Sequence, residues 1–174
     1  MPIKQNHELA RSCFEEDFKK INNQKLPTIY RWELNPNFEN LLLYVNLYAK
    51  DEDGLNLDDY HIKMDMSYYR TWPPGVTFIN PVTKEFNPFT DLKWVPQIGI
   101  KPPGVDIAYH ASYALVNGQT KQLVCNSMTL EYYLSRHNPS TEQRWNPSIH
   151  NFGTTINTLD LMLRKPYYGG RLSK

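Results

Sequence analysis

Cys125 is the side chain in this sequence best suited to covalent chemistry. A thiolate is a strong nucleophile and a thioester is a reactive acyl carrier, so one well-placed cysteine is sufficient for acyl transfer. The stretch Gln122-Leu123-Val124 reads as a strand that delivers Cys125 at its end, and the polar pair Asn126-Ser127 follows it. That setting predicts a thiol at the mouth of a loop. The structural alternative is a buried strand-end cysteine, because free cysteine is among the most buried residue types. Cys13 falls on the apolar face of a predicted helix and reads as a packing residue, inert where Cys125 reacts. Two cysteines do not make a disulfide framework, no CxxC spacing exists, and a reducing compartment fits best.

The five histidines, at 7, 61, 110, 137 and 150, show no HExxH or paired spacing, which weakens a metal reading. His110 lies across a proposed hairpin from Cys125 and within reach of its thiol; a packing or surface role is the alternative. His137 falls in the loop after Cys125, where the surface is the default. Gly99, Gly104 and Gly118 are isolated, so there is no Gly-rich phosphate loop. No cofactor and no metal are expected.

The elements that must position these residues follow from periodicity. Residues 5–23 read as an amphipathic helix with Leu9, Cys13, Phe14, Phe18 and Ile21 on one face, and Pro27 prevents its continuation. Tyr30, Trp32 and Leu34 alternate with Arg31 and Glu33, and Asn35-Pro36-Asn37 signals a turn. Leu41, Leu43, Val45 and Leu47 form a second alternation. Tyr60, Ile62, Met64, Met66 and Tyr68 form a third, opposite His61, Lys63, Asp65 and Ser67. A period of two is that of a sheet with one buried and one wet face. Pro73-Pro74-Gly75 breaks the chain before a short strand over 76–79, and Tyr68-Tyr69 with Trp72 pin that reversal. Residues 107–116 and 122–125 make a hairpin closed at Asn117-Gly118. A second helix is capped by Asn146, with Pro147 at its first position and Ile149, Phe152, Ile156, Leu159 and Leu163 as its stripe. Pro166 and Gly169-Gly170 end it. The fold class is therefore α+β, in one domain spanning 1–174.

Composition removes several function classes. Nineteen basic and eighteen acidic side chains nearly cancel, so the electrostatic footprint of a nucleic-acid binder is missing. The longest aliphatic run is Leu41-Leu42-Leu43, far from the ~20 apolar residues that cross a bilayer. The N-terminal stretch MPIKQNHELARS has no apolar segment of the signal-peptide kind. A cytoplasmic protein without membrane or nucleic-acid partners is expected.

The order of these elements, with three local motifs, resembles the ubiquitin-conjugating enzyme family. Tyr69-Arg70-Thr71-Trp72-Pro73-Pro74-Gly75-Val76-Thr77-Phe78 looks like that family's turn-and-strand signature. Gln122-Leu123-Val124-Cys125 looks like its strand ending in the acceptor cysteine, and Trp145-Asn146-Pro147 like the motif that opens its central helix. The resemblance implies a UBC-like fold: an N-terminal helix, a four-stranded antiparallel meander, an active-site loop and a central helix, here without the two C-terminal helices of the common eukaryotic members. It also implies a thioester on Cys125 with a ubiquitin-like protein, received from a cognate activating enzyme and passed to an amine on a protein target.

The family's His-Pro-Asn tripeptide, whose asparagine stabilises the oxyanion, is not found; Phe86-Asn87-Pro88 stands at about its offset in scrambled order. Candidate oxyanion donors are His110, Asn126 (by side chain or backbone N–H) and Asn87, with His110 favoured. Glu131 is a candidate for orienting the amine, against an exposed solvating role. The shortened form resembles bacterial relatives of antiphage operons, which implies antiviral defence. Two rival readings remain: an inactive module of the same fold that holds a ubiquitin-like protein or partner enzyme, and a cysteine hydrolase pairing Cys125 with His110 or His137.

Overall fold

The computed structural model describes residues 6–173. The first helix, α1, spans His7–Asn23 and is capped by Asn6, whose side chain accepts from the Leu9 N–H at 3.1 Å. Its buried stripe is Ala10, Phe14, Asp17 and Ile21, with Cys13 and Phe18 half-buried beside it. Leu9, expected on that stripe, is 51% exposed, because the stripe starts one position later, at Ala10. Gln5, the expected first residue of this helix, lies outside the described residues.

The next segment departs from expectation. A short helix, α2, covers Leu26–Tyr30 with Pro27 in its first turn, where a missing N–H is harmless. The strand expected over Tyr30–Leu34 begins at Glu33, and this strand, β1 (Glu33–Asn37), contains the Asn35-Pro36-Asn37 that reads as a turn. Proline is tolerated there because β1 is an edge strand.

The meander forms in the expected order, although its third strand ends at Asp65, so that Ser67 and Tyr68, expected in it, fall in the turn that follows. β2 (Leu42–Lys50), β3 (Asn56–Asp65) and β4 (Gly75–Ile79) follow β1 in an antiparallel sheet of order β1-β2-β3-β4. The register sets Val45 opposite Ile62 and Ile62 opposite Phe78. Leu43, Val45, Leu47, Tyr60, Ile62, Met64, Val76 and Phe78 are thereby buried on one face. The other face carries polar pairs, such as His61 with Asn46 (2.7 Å) and Lys63 with Glu85 (2.7 Å).

Tyr69 ties the turn before β4 to both main helices. Its hydroxyl donates to Asp17 of α1 at 2.6 Å and accepts from the Phe152 N–H at 3.0 Å, while Arg70 pairs with the same carboxylate at 2.8 Å. This agrees with the pinning role read from the aromatic cluster.

Beyond β4, β5 (Pro96–Ile98) pairs with the C-terminal β8 (Tyr168–Arg171). The Gly169-Gly170 expected to stop a helix therefore lies in a strand. A Cβ on Gly169 would sit 2.8 Å from the Gly99 nitrogen, so glycine is required for that close approach. The predicted hairpin is present as β6 (Ala108–Ala114) and β7 (Thr120–Cys125), with Gly118 at φ +78° in its turn. A short helix not foreseen, α3 (Leu130–Leu134), follows it.

The last helix, α4 (Phe152–Met162), starts later than Asn146. Asn151 is its cap, in a reciprocal capping box with Thr154. Asn146 closes the preceding turn by accepting from the Ser148 N–H, and Ile149 is 72% exposed rather than on the helical stripe. Phe152, Ile156, Leu159 and Met162 enter the same core as Phe14 and the inner face of the sheet. Among the described residues, no helix is long and apolar enough to cross a membrane.

The hairpin does not extend the four-stranded sheet by a ladder. Gln122, 6% exposed, places its side-chain amide against the free edge of β4, accepting from the Phe78 N–H at 2.6 Å and donating to the Phe78 carbonyl at 3.0 Å. One side chain thus does the work of a strand's backbone. Replacing it by leucine strands two buried polar groups, each worth about 1–3 kcal/mol. Gln122→Leu is expected to lower the urea midpoint and to speed amide exchange at Phe78. An unchanged Phe78 exchange rate would show that the hairpin is seated by other contacts.

Candidate active site around Cys125

Cys125 ends β7 opposite Ala108 of β6 and packs with Leu123 of its own strand and Tyr132 of α3. The chain then folds into a tight polar turn. The Thr129 hydroxyl reaches the carbonyls of Val124 (2.6 Å) and Asn126 (2.8 Å), and the Asn126 N–H donates to the Val124 carbonyl at 3.0 Å. The strand-end position and polar exit match the sequence reading. The open loop mouth does not: Cys125 is 9% exposed, whereas Cys13 is only half-buried. The expected order of accessibility of the two thiols is therefore reversed, because the aromatic side chains of α3 close over β7.

Burial pushes the Cys125 thiol above its ordinary pKa, and the nearby Asp106 carboxylate adds to the shift. The resting group at neutral pH is a thiol, which is a poor nucleophile until a base removes its proton.

The side chain standing closest to such a role is His137. Its Nε2 lies 3.6 Å from the Cys125 Sγ, and its Nδ1 lies 2.7 Å from the Ser135 hydroxyl. The ring stacks on Tyr132 at 4.7 Å between centroids. The local chain explains the placement. α3 ends at Leu134, Ser135 caps it, and Arg136 takes a left-handed conformation at φ +66°. That reversal turns the next residue back along the helix toward the strand end. The sequence reading left His137 on the surface by default, although the hydrolase reading named it. The signal it missed is the short aromatic helix between Thr129 and Leu134, long enough for one turn and a return.

His110 is not brought to the thiol. The hairpin returns as expected, but its register sets Ala108 opposite Cys125 and His110 opposite Leu123. That is two residues further along the ladder, or roughly 7 Å of strand rise. The His110 ring packs against Tyr113 instead, 5.3 Å away. Asn126 adjoins the thiol and is held by three hydrogen bonds. Its side-chain nitrogen donates to the Asp106 carbonyl at 2.9 Å, its side-chain oxygen accepts from the Met128 N–H at 2.9 Å, and its backbone N–H is held in the turn. It shapes the turn beside the thiol, and one N–H of its side-chain amide is committed to the Asp106 carbonyl. Asn87 caps its own loop after β4, accepting from the Phe89 N–H and donating its backbone N–H to Asp91.

Glu131 corrects another expectation, since it is 7% exposed and not a solvating surface group. Its Oε2 accepts from the Val76 N–H at 3.1 Å, on the same free edge of β4 that Gln122 covers. A Cβ on Gly75 would come within 2.9 Å of its other oxygen. Glu131 is a clamp between α3 and the sheet.

Burial raises Glu131 from an ordinary 4.5 to about 7. The folded chain then holds a proton that the unfolded chain releases between those two values. Stability is fully present below about 4.5 and is lost as pH rises through about 7, by on the order of 3 kcal/mol. Glu131→Gln keeps an acceptor for Val76 and removes the titration. Denaturant unfolding at pH 5 and pH 8 is expected to show this loss of stability in the parent chain, and a smaller one in the variant. Equal losses would mean that other groups carry the dependence.

The chain matches no family model, no curated protein and no solved structure, so its chemistry has to be inferred from the residues around Cys125.

Proposed function

We propose that this chain is an acyl-transfer enzyme of the ubiquitin-conjugating type. In this reading it takes the C-terminal carboxyl of a ubiquitin-like protein from a cognate activating enzyme as a thioester on Cys125, and passes it to an amine on a protein target. The observation that carries the reading is the Cys125 thiol at a strand end with an imidazole nitrogen 3.6 Å away. An N-terminal helix, a four-stranded antiparallel meander, a Pro-Pro turn into β4, the cysteine strand and a later helix behind Trp145 occur in the order of a UBC-like fold. That order supports the assignment of fold as well as of chemistry.

In the loading step the Cys125 sulfur attacks the activating enzyme's thioester carbonyl, and that enzyme's sulfur leaves. In the discharge step an amine attacks the new thioester and the Cys125 sulfur leaves. Each passes through a tetrahedral oxyanion. Near neutrality of formal charge, at +1, favours protein partners met by shape over nucleic acid. The bacterial, cytoplasmic and antiviral setting implied by the motifs is part of the same proposal.

The burial of Cys125 favours a second reading, an inactive module of this fold that holds a ubiquitin-like protein or partner enzyme without forming a thioester. The two differ in one measurement. Incubation with activating enzyme, ATP and ubiquitin-like protein is expected to add the mass of one modifier, lost on treatment with reductant, abolished by Cys125→Ala and kept in Cys13→Ala. Release of the adduct by free lysine rather than water separates conjugation from hydrolysis. An adduct that survives Cys125→Ala would overturn the reading, and co-elution without any adduct would establish the inactive module.

A further inference from the structure

The Ser135 hydroxyl lies within hydrogen-bond distance of two groups, the Tyr132 carbonyl at 2.9 Å and His137 Nδ1 at 2.7 Å. Given to the carbonyl, its one hydrogen leaves the hydroxyl oxygen as an acceptor for a proton on Nδ1. That tautomer turns the lone pair of Nε2 toward Sγ, 3.6 Å away. Tyr132 fixes the plane of the ring by stacking, and its carbonyl also accepts from the His137 backbone N–H at 3.3 Å.

We propose that Ser135, through this bond, locks His137 as the neutral base of a Cys125–His137 pair that serves both transfer steps. The proposal rests on the acyl-carrier reading for its reaction but not for its test. In loading, Nε2 takes the Sγ–H proton as the sulfur–carbonyl bond forms. The bond to the donor thiol breaks, and the imidazolium returns the proton to the departing sulfur. In discharge, Nε2 takes a proton from the attacking amine nitrogen, the nitrogen–carbonyl bond forms, and the carbon–sulfur bond breaks. The proton passes to the Cys125 sulfur, which restores the thiol. His137 is a catalytic residue in this scheme and Ser135 a positioning residue. No oxidant, metal or further reactant is needed.

Among the described residues, charged or titratable groups near the pair are Asp106 and Lys101, from the segment before β6, Tyr113 of β6, and Tyr132 and Tyr133 of α3, with Glu142 and His150 lining the cavity beside Asn126 and Tyr132. Asp106 and Lys101 lie 3.4 Å apart and offset each other. Removal of the imidazole is therefore the direct test of whether it acts on the thiol.

The test is alkylation of Cys125 by iodoacetamide across pH 5 to 9, followed by peptide mass so that Cys13 is counted separately. The parent chain is expected to show a step in the imidazole range. His137→Ala is expected to lose that step and to react at least ~10-fold more slowly at pH 7, a modest bar for a positioned base. Ser135→Ala is expected to weaken and shift the step, Ser135→Thr to restore it, and His110→Ala to leave it unchanged. A His137→Ala profile superimposable on the parent would overturn the proposal. So would a Cys125 that no pH renders reactive while Cys13 labels. A His137-dependent profile in a chain that never accepts a ubiquitin-like protein would leave the base in place and remove the conjugating reading.

Discussion

The free edge of β4 is the constraint on which the candidate active site depends. Its outward N–H groups, at Val76 and Phe78, meet no further strand. They are taken by two side chains, Glu131 and Gln122, that come from different elements. Gln122 lies on the strand that ends in Cys125, and Glu131 lies on the helix that returns His137. The Pro74 carbonyl, just before the same strand, accepts from the Leu130 N–H at 3.0 Å. Both halves of the thiol–imidazole pair are thus referenced to one edge strand, and a 3.6 Å contact between residues twelve apart becomes reproducible. Buried amides and carboxyls that are fully bonded serve this purpose well, because any slip leaves a polar group without a partner.

Much of this was legible from the chain, for reasons specific to each element. The alternations over Leu41–Leu47 and Tyr60–Tyr68 are long and have one apolar face, so a one-residue slip would bury His61 and Lys63, and the register follows. Asn117-Gly118 marks its turn because Gly118 needs a positive φ. Cys125 stood out by type and by its polar exit. The pairing of β5 with β8 left no local trace, since each strand is only a few residues long and the partners are far apart in sequence. The start of α4 was misplaced because Asn146-Pro147 and Asn151 offer equally good caps, and tertiary packing of Phe152 selects the second. His137, named only in the hydrolase reading, defaults to the surface because its position depends on a single left-handed residue, Arg136, at the end of a one-turn helix. Nothing in residue type alone announces that.

The environment of the thiol sets a balance between reactivity and protection. Burial and Asp106 keep Cys125 protonated, and the polar turn of Asn126, Ser127 and Thr129 is closed on itself by hydrogen bonds. A sulfur held this way is slow to react with adventitious electrophiles and depends on a neighbour for activation. An acyl group bound there would be screened from bulk water on the side covered by Tyr132 and Leu123.

The two outer margins of the sheet also bear on how copies of this molecule meet. On one side Pro36 removes a backbone donor from β1, and Glu33 holds a carboxylate there, bonded to Asn46 and Tyr48. On the other, the donors of β4 are already occupied from within the chain. Strand-to-strand templating, the route by which exposed sheets recruit one another into aggregates, therefore finds no continuous row of unpaired amides on either flank. The same side chains that locate the thiol make the meander poor seed material for amyloid growth.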